Sequence, residues 1–191
     1  MYRIVFKKIA LTGKVTIFGS QNQIVAYAQQ KFFKVKEKVT FYQDTNKDQI
    51  IGIINADKII DYNLSYSLTG AQGEPLCKLK RNGRASIWKA NYEILDKNGQ
   101  LVYKIHEKNP WAKVMDSLLG EIPFIGLING YIFHVRYGLS TPDGQEVAEI
   151  VKQPGLFEAE FHLSLTGSSG DLSVEILELI TMLLIRERSR S

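Results

Sequence analysis

The fold turns on the stretch from Leu172 to Ile185, LSVEILELITMLLI. Ten of its 14 residues are Leu, Ile, Val or Met, and the exceptions are Ser173, Glu175, Glu178 and Thr181. The composition predicts a helix over about 171–188, with Asp171 placed to cap its start and Arg186, Arg188 and Arg190 at its end, where cations offset the negative pole of the helix. Such a helix is apolar on nearly every side, so a surface location would leave Leu and Ile in water. A bilayer span needs about 20 apolar residues, and this run with its two glutamates falls short. Burial inside protein is what remains. At 1.5 Å per residue the helix reaches about 27 Å, enough to thread a domain, and a closed many-stranded sheet has a lumen that such a helix can fill.

Working outward, the rest of the chain supplies that sheet. Phe33, Val35, Val39 and Phe41 fall on one face of a strand, with Lys34, Lys36, Lys38 and Thr40 on the other. The same period of two runs through Tyr131, Phe133, Val135, Tyr137 and Leu139, and through Phe157, Ala159, Phe161, Leu163 and Leu165, where Glu158, Glu160 and His162 face outward. Polar turn sequences punctuate these runs at 20–23, 44–48, 70–73, 96–99 and 141–144, the last of them Thr141-Pro142-Asp143-Gly144. The pattern predicts strands over about 2–166 in an antiparallel meander. Pro110 to Leu119 (PWAKVMDSLL) interrupts it with helical spacing, and Gly120 stops the helix. The expected fold is mainly β: one domain over 1–191, a closed antiparallel barrel of about a dozen strands around a buried hydrophobic C-terminal helix.

Composition bounds the function classes. The chain has 191 residues, 45% hydrophobic and 23% charged, which is too apolar for disorder. A single cysteine excludes a disulfide framework and a multi-cysteine zinc site. The apolar run after Met1 is too short for a signal peptide, so a soluble, cytoplasmic protein is expected, with peripheral membrane contact as an extension of that reading. Charge is uneven: residues 1–100 hold 16 Lys and Arg against 8 Asp and Glu, and residues 101–191 hold 8 against 12.

Catalytic and cofactor signatures are missing where they would be sought. No Gly-x-Ser-x-Gly occurs, and Cys77, with the same parity as Leu79, reads as a small buried hydrophobe. His106, His134 and His162 stand opposite the apolar parity of their strands and read as exposed or rim histidines. Asp44 to Asp48 opens like a calcium loop, but Gln49 takes the place of the sixth-position glycine and Asn55 that of the closing glutamate. Gly13-Lys14 has Lys8 in place of the first glycine of a phosphate loop, and the apolar length around Gly126 and Gly130 is too interrupted to span a membrane. No enzyme activity, cofactor or metal is expected.

Several stretches carry a family likeness: Lys31-Phe32-Phe33-Lys34-Val35-Lys36-Glu37-Lys38, Lys78-Leu79-Lys80-Arg81, Ser86-Ile87-Trp88-Lys89-Ala90, Tyr92-Glu93-Ile94, Glu107-Lys108-Asn109-Pro110-Trp111 and Val151-Lys152-Gln153-Pro154. Over about 14–188 the chain resembles the tubby C-terminal-like superfamily, in particular its LURP-one-related and phospholipid-scramblase branch. That resemblance implies a barrel of about a dozen strands around the C-terminal helix. It also implies a range of roles, from phosphoinositide binding by tubby domains to action at membranes by scramblase-like proteins.

Basic surface is the remaining chemical feature. Lys34, Lys36 and Lys38 form one ladder; Lys78 and Lys80 form a second, with Arg81, Arg84 and Lys89 close by at a turn. Each cation held near an anionic membrane contributes about 1 kcal/mol. The expectation is a non-enzymatic peripheral or scaffold module that recognises anionic phospholipid or phosphoinositide through these eight residues. The alternatives are a barrel holding a small apolar or acyl ligand, or a protein scaffold with no lipid role. Trp88 and Tyr92 could stack on nucleic-acid bases, but with Ala90 and Ile94 they share one parity and read as core, so no nucleic-acid partner is expected.

Overall fold

Every polar turn named above lies at the same end of the molecule. The computed structural model describes residues 1–9, 12–31, 38–57, 64–82, 91–109, 135–154, 158–167 and 170–188. Its strands are β1 (Tyr2–Ile9), β2 (Thr12–Phe18), β3 (Ile24–Lys31), β4 (Lys38–Tyr42), β5 (Ile50–Ala56), β6 (Ser65–Thr69), β7 (Pro75–Arg81), β8 (Asn91–Asp96), β9 (Leu101–Glu107), β10 (Arg136–Ser140), β11 (Glu146–Lys152) and β12 (Glu158–Leu165), followed by one helix, α1 (Val174–Arg188). Each strand pairs antiparallel with its neighbours in sequence, and β1 pairs with β12, so the sheet closes into a 12-stranded barrel. The expected helix at 110–119 and the expected strand positions 33–37, 131–134 and 157 lie outside the described residues.

The period of two decides what the barrel encloses. Ile4 of β1 is in register with Ile17 of β2 and Phe161 of β12, and all three are buried. Leu79 of β7 is likewise in register with Tyr66 and Ile94, all buried. The alternate residues carry charge across the outer wall: Arg3 pairs with Glu160 (3.5 Å), Lys7 with Glu158 (3.2 Å), and Lys108 with both Glu146 and Glu149 (2.7 and 3.2 Å). This apolar-in, charged-out arrangement is the inverse of the lipid-facing band of a membrane barrel. Among the described residues no helix is long and apolar enough to cross a membrane.

Four hairpins share one closure. In Gly19–Gln23, Gly70–Glu74, Asp96–Gln100 and Thr141–Gln145 the first residue's N–H bonds the fifth residue's carbonyl, and the fourth residue's N–H bonds the first residue's carbonyl. The fourth residues, Asn22, Gly73, Gly99 and Gly144, all have positive φ, which glycine and asparagine adopt at least cost. Each closure places one register shift in the adjoining ladder, which tightens the local twist. These hairpins, the 43–49 connection and the link from β12 to α1 define the turn rim.

The helix enters the lumen from that rim. Residues 176 to 184 are all buried, so the run that was apolar on every side is enclosed on every side. Asp171 is not its cap. Ser173 holds the cap position, its carbonyl accepting from the Leu177 N–H at 3.2 Å, while the Asp171 carboxylate accepts from the Tyr2 hydroxyl at 3.0 Å. The acid thus fastens the entering chain to β1 three residues before the helix begins. Mid-helix, Thr181 satisfies its hydroxyl on the Leu177 carbonyl (2.8 Å), and at the far end the Arg188 guanidinium lies over the Phe6 ring (4.5 Å).

Candidate functional site

The strand ends flanking 10–11, 32–37, 58–63, 83–90, 110–134 and 155–157 all lie at the opposite, open rim. Lys38 is exposed at the start of β4, opposite Asn55 of β5. Lys78 and Lys80 point outward near the end of β7, on either side of fully buried Leu79 and opposite Ser67 and Ser65 of β6. Only β5 and β6 separate β4 from β7, a spacing of about 14 Å around the wall. Two of the described site residues, Lys38 and Lys80, therefore stand on one stretch of the open rim. Lys34, Lys36, Arg84 and Lys89 lie outside the described residues, in segments whose flanking strands end at this rim.

Lys78 and Arg81 are placed differently. The Lys78 ammonium pairs with Asp57 at 3.1 Å, and the same carboxylate accepts from the Ser65 and Ser67 hydroxyls, each at 2.8 Å. Burial works to raise the Asp57 pKa, but those three donors outweigh it and hold the carboxyl below the usual range. Arg81 shares the parity of Leu79 and turns to the lumen side, where its guanidinium carbon is 6.0 Å from the centre of the buried Tyr92 ring.

Charge is divided along the barrel axis. The connections at the turn rim, 19–23, 43–49, 70–74, 96–100, 141–145 and 166–173, hold six acids and two bases. At the open rim the described strand ends present Lys7, Lys14, Lys38, Lys80, Arg136 and Lys152, and the helix ends on Arg186 and Arg188. The described acids at that end are Asp57, Glu93, which stands in register with Lys80, Glu107, Glu158 and Glu187, of which Glu107 and Glu187 are buried. Lys14, Lys38, Lys80 and Lys152 form no ion pair with any described residue. Lys7 stands between Lys14 of β2 and Glu158 of β12, and Glu158 already offsets its charge.

Inside the barrel the open-rim end is polar. The Tyr92 hydroxyl donates to Glu187 at 2.6 Å, and Glu107 of β9 stands in register with Tyr137 of β10. Burial first, and then the neighbouring carboxylates, push both phenols above their ordinary range. The turn-rim half of the lumen is apolar apart from Glu178, which is 1% exposed and whose two carboxyl oxygens have no hydrogen-bond partner among the described residues.

Among the described residues the remaining candidates do not come together. Cys77 is half-buried, and burial followed by Glu175, Asp96 and Glu178 pushes its thiol up, the reverse of an activated nucleophile. His162 lies 2.7 Å from Glu160 on the outer wall, His106 lies over Gly138, and His134 is outside the described residues. No group of three or more His, Cys, Asp or Glu among the described residues could hold a metal ion. The 44–48 segment is an ordinary turn in which the Asn46 N–H bonds the Asp44 carboxylate (2.8 Å) and Lys47 takes a positive φ.

Sequence reading missed the lumen pair of Tyr92 and Glu187 and the isolation of Glu178. Both glutamates were visible as polar residues in a helix that has no solvent face. No protein-family model matches the chain, and no curated protein matches it at a significant level.

Proposed function

We propose that the protein is a non-enzymatic peripheral module that sets its open rim against anionic phospholipid, phosphoinositide included. The axial separation of charge carries this reading: lysines that pair with no described residue at one rim, a surplus of acids at the other. A barrel polarised in this way orients in the field of a negatively charged surface, with the basic rim inward. The resemblance to tubby-like domains points the same way. The lumen is filled by α1, which favours recognition at the surface over an acyl chain held inside. Arg81, turned toward Tyr92, supports the wall rather than the lipid contact, and Lys78 is already matched by Asp57.

Co-sedimentation with vesicles of neutral lipid and of lipid containing phosphatidylserine or phosphoinositide tests the reading at low and high salt. Binding is expected only to the anionic vesicles, weakening with salt as exposed charges are screened. Lys38→Glu with Lys80→Glu is expected to lower the affinity by about tenfold or more, since each cation contributes about 1 kcal/mol. No binding at any salt would leave a protein scaffold as the reading to pursue.

A further inference from the structure

Glu178 occupies the second turn of α1, enclosed by the barrel and hydrogen-bonded to no described residue. The wall makes room for it: Gly52 of β5 abuts the carboxyl so closely that a methyl group there would overlap Oε1 and Oε2. The helix packs chiefly on β3, β5 and β7. On this half of the lumen their described residues bring one titratable group, the Cys77 thiol of β7; Glu175 lies one turn earlier on the helix, and Asp96 of β8 stands in register with Cys77. None of these is a cation, and Arg81 is at the other end of β7.

We propose that Glu178 is a proton-controlled latch on the central helix. As the neutral acid it lets the first turns of α1 stay seated against β5 and β7. As the carboxylate it draws that end of the helix toward the turn rim and water. An ionised carboxylate buried without a partner costs several kcal/mol, and the nearest charges here are negative. Burial first, and then Glu175, push the Glu178 pKa up to about 8. The sign follows. Below the ordinary glutamic acid range the group is neutral in both folded and unfolded chains, and its effect on stability is nil. Above that range the unfolded chain releases the proton and the folded chain keeps it, so stability falls as pH rises and levels off once the folded group has ionised.

The test uses the full chain and its E178Q variant, with E178L as a second uncharged form should the amide fail to fold. Urea unfolding is measured from about pH 5 to pH 9. Relative to E178Q, the wild-type folding constant is expected to fall by up to about tenfold per pH unit through the middle of that range. Cys77, the only cysteine, reports the local movement through its rate of modification by a disulfide reagent. The ratio of wild-type to E178Q rates is expected to be near one at about pH 6 and to rise well above one at about pH 9. A carboxylate that stayed seated would repel the developing thiolate and push that ratio below one. A ratio at or below one at the higher pH, or unfolding curves whose separation does not change with pH, would overturn the latch.

Discussion

At the turn rim α1 meets Gly52 and Cys77 with a carboxyl that nothing described bonds, whereas at the open rim it meets Tyr92 with one that accepts a hydrogen bond at 2.6 Å. The two glutamates sit on the same helix in the same barrel, both buried, and the environments separate them. Around Glu187 stand a phenol donor and, beyond the Tyr92 ring, a guanidinium. Around Glu178 stand a glycine backbone, a thiol and another glutamate. A buried acid supplied with donors can stay charged; one without donors must remain protonated or leave. The outer surface repeats the division, with acids gathered at the turn rim and, at the open rim, lysines that pair with no described residue. The central helix thus joins an end whose seating depends on a proton to an end built on a standing polar network.

Removing the helix erases the comparison and has the largest expected effect. A chain ending at Ser169 loses the filling of the lumen, and the expected outcome is loss of cooperative unfolding by circular dichroism; a sharp transition would show that the barrel stands without its plug. Next comes Gly52→Ala, expected to cost about 1–3 kcal/mol because the added methyl meets the Glu178 carboxyl in a packed core. In an E178A background the same change should cost less, and a urea double-mutant cycle reads the coupling. Strict additivity would mean that the glycine is not vacated for the acid. At the other end, Tyr92→Phe removes the donor to Glu187 and should cost about 1–2 kcal/mol in thermal or urea unfolding. A neutral result would show that the remaining partners of Glu187 suffice. Smallest is Lys78→Ala: its side chain is 43% exposed, so loss of the Asp57 pair should change stability by less than about 1 kcal/mol, measured in the same way.

The barrel was legible because its signals are local. Alternation through β12 and the punctuation at Asn22, Gly73, Gly99 and Gly144 depend on residues within one hairpin, and the structure realises both. The plug was legible for the opposite reason: a helix with no polar face leaves no choice but enclosure. What escaped depends on relations between distant segments. Arg81 had the parity of Leu79, yet its neighbours Lys78 and Lys80 drew it into a surface cluster; only its position over Tyr92 of the next strand shows the lumen side. Asp171 suits a helix start, but the Tyr2 hydroxyl, from the first strand, takes its carboxylate elsewhere. The rotation of α1 that sets Glu178 against Gly52 is a property of packing, with no trace in either segment alone. The axial division of charge is not the one read between the halves of the chain: four of the six turn-rim acids, Asp44, Asp48, Glu74 and Asp96, come from the more basic half, and they gather at one rim because alternate connections return to it.

If the open rim, and not net charge as such, meets the membrane, two pairs of charge reversals of equal size must differ in co-sedimentation with phosphatidylserine-containing vesicles: K38E/K80E at the open rim and K47E/K97E at the turn rim. The open-rim pair is expected to weaken binding by about tenfold or more while the turn-rim pair leaves it nearly unchanged. Equal losses from both pairs, or the larger loss from the turn-rim pair, would contradict that placement.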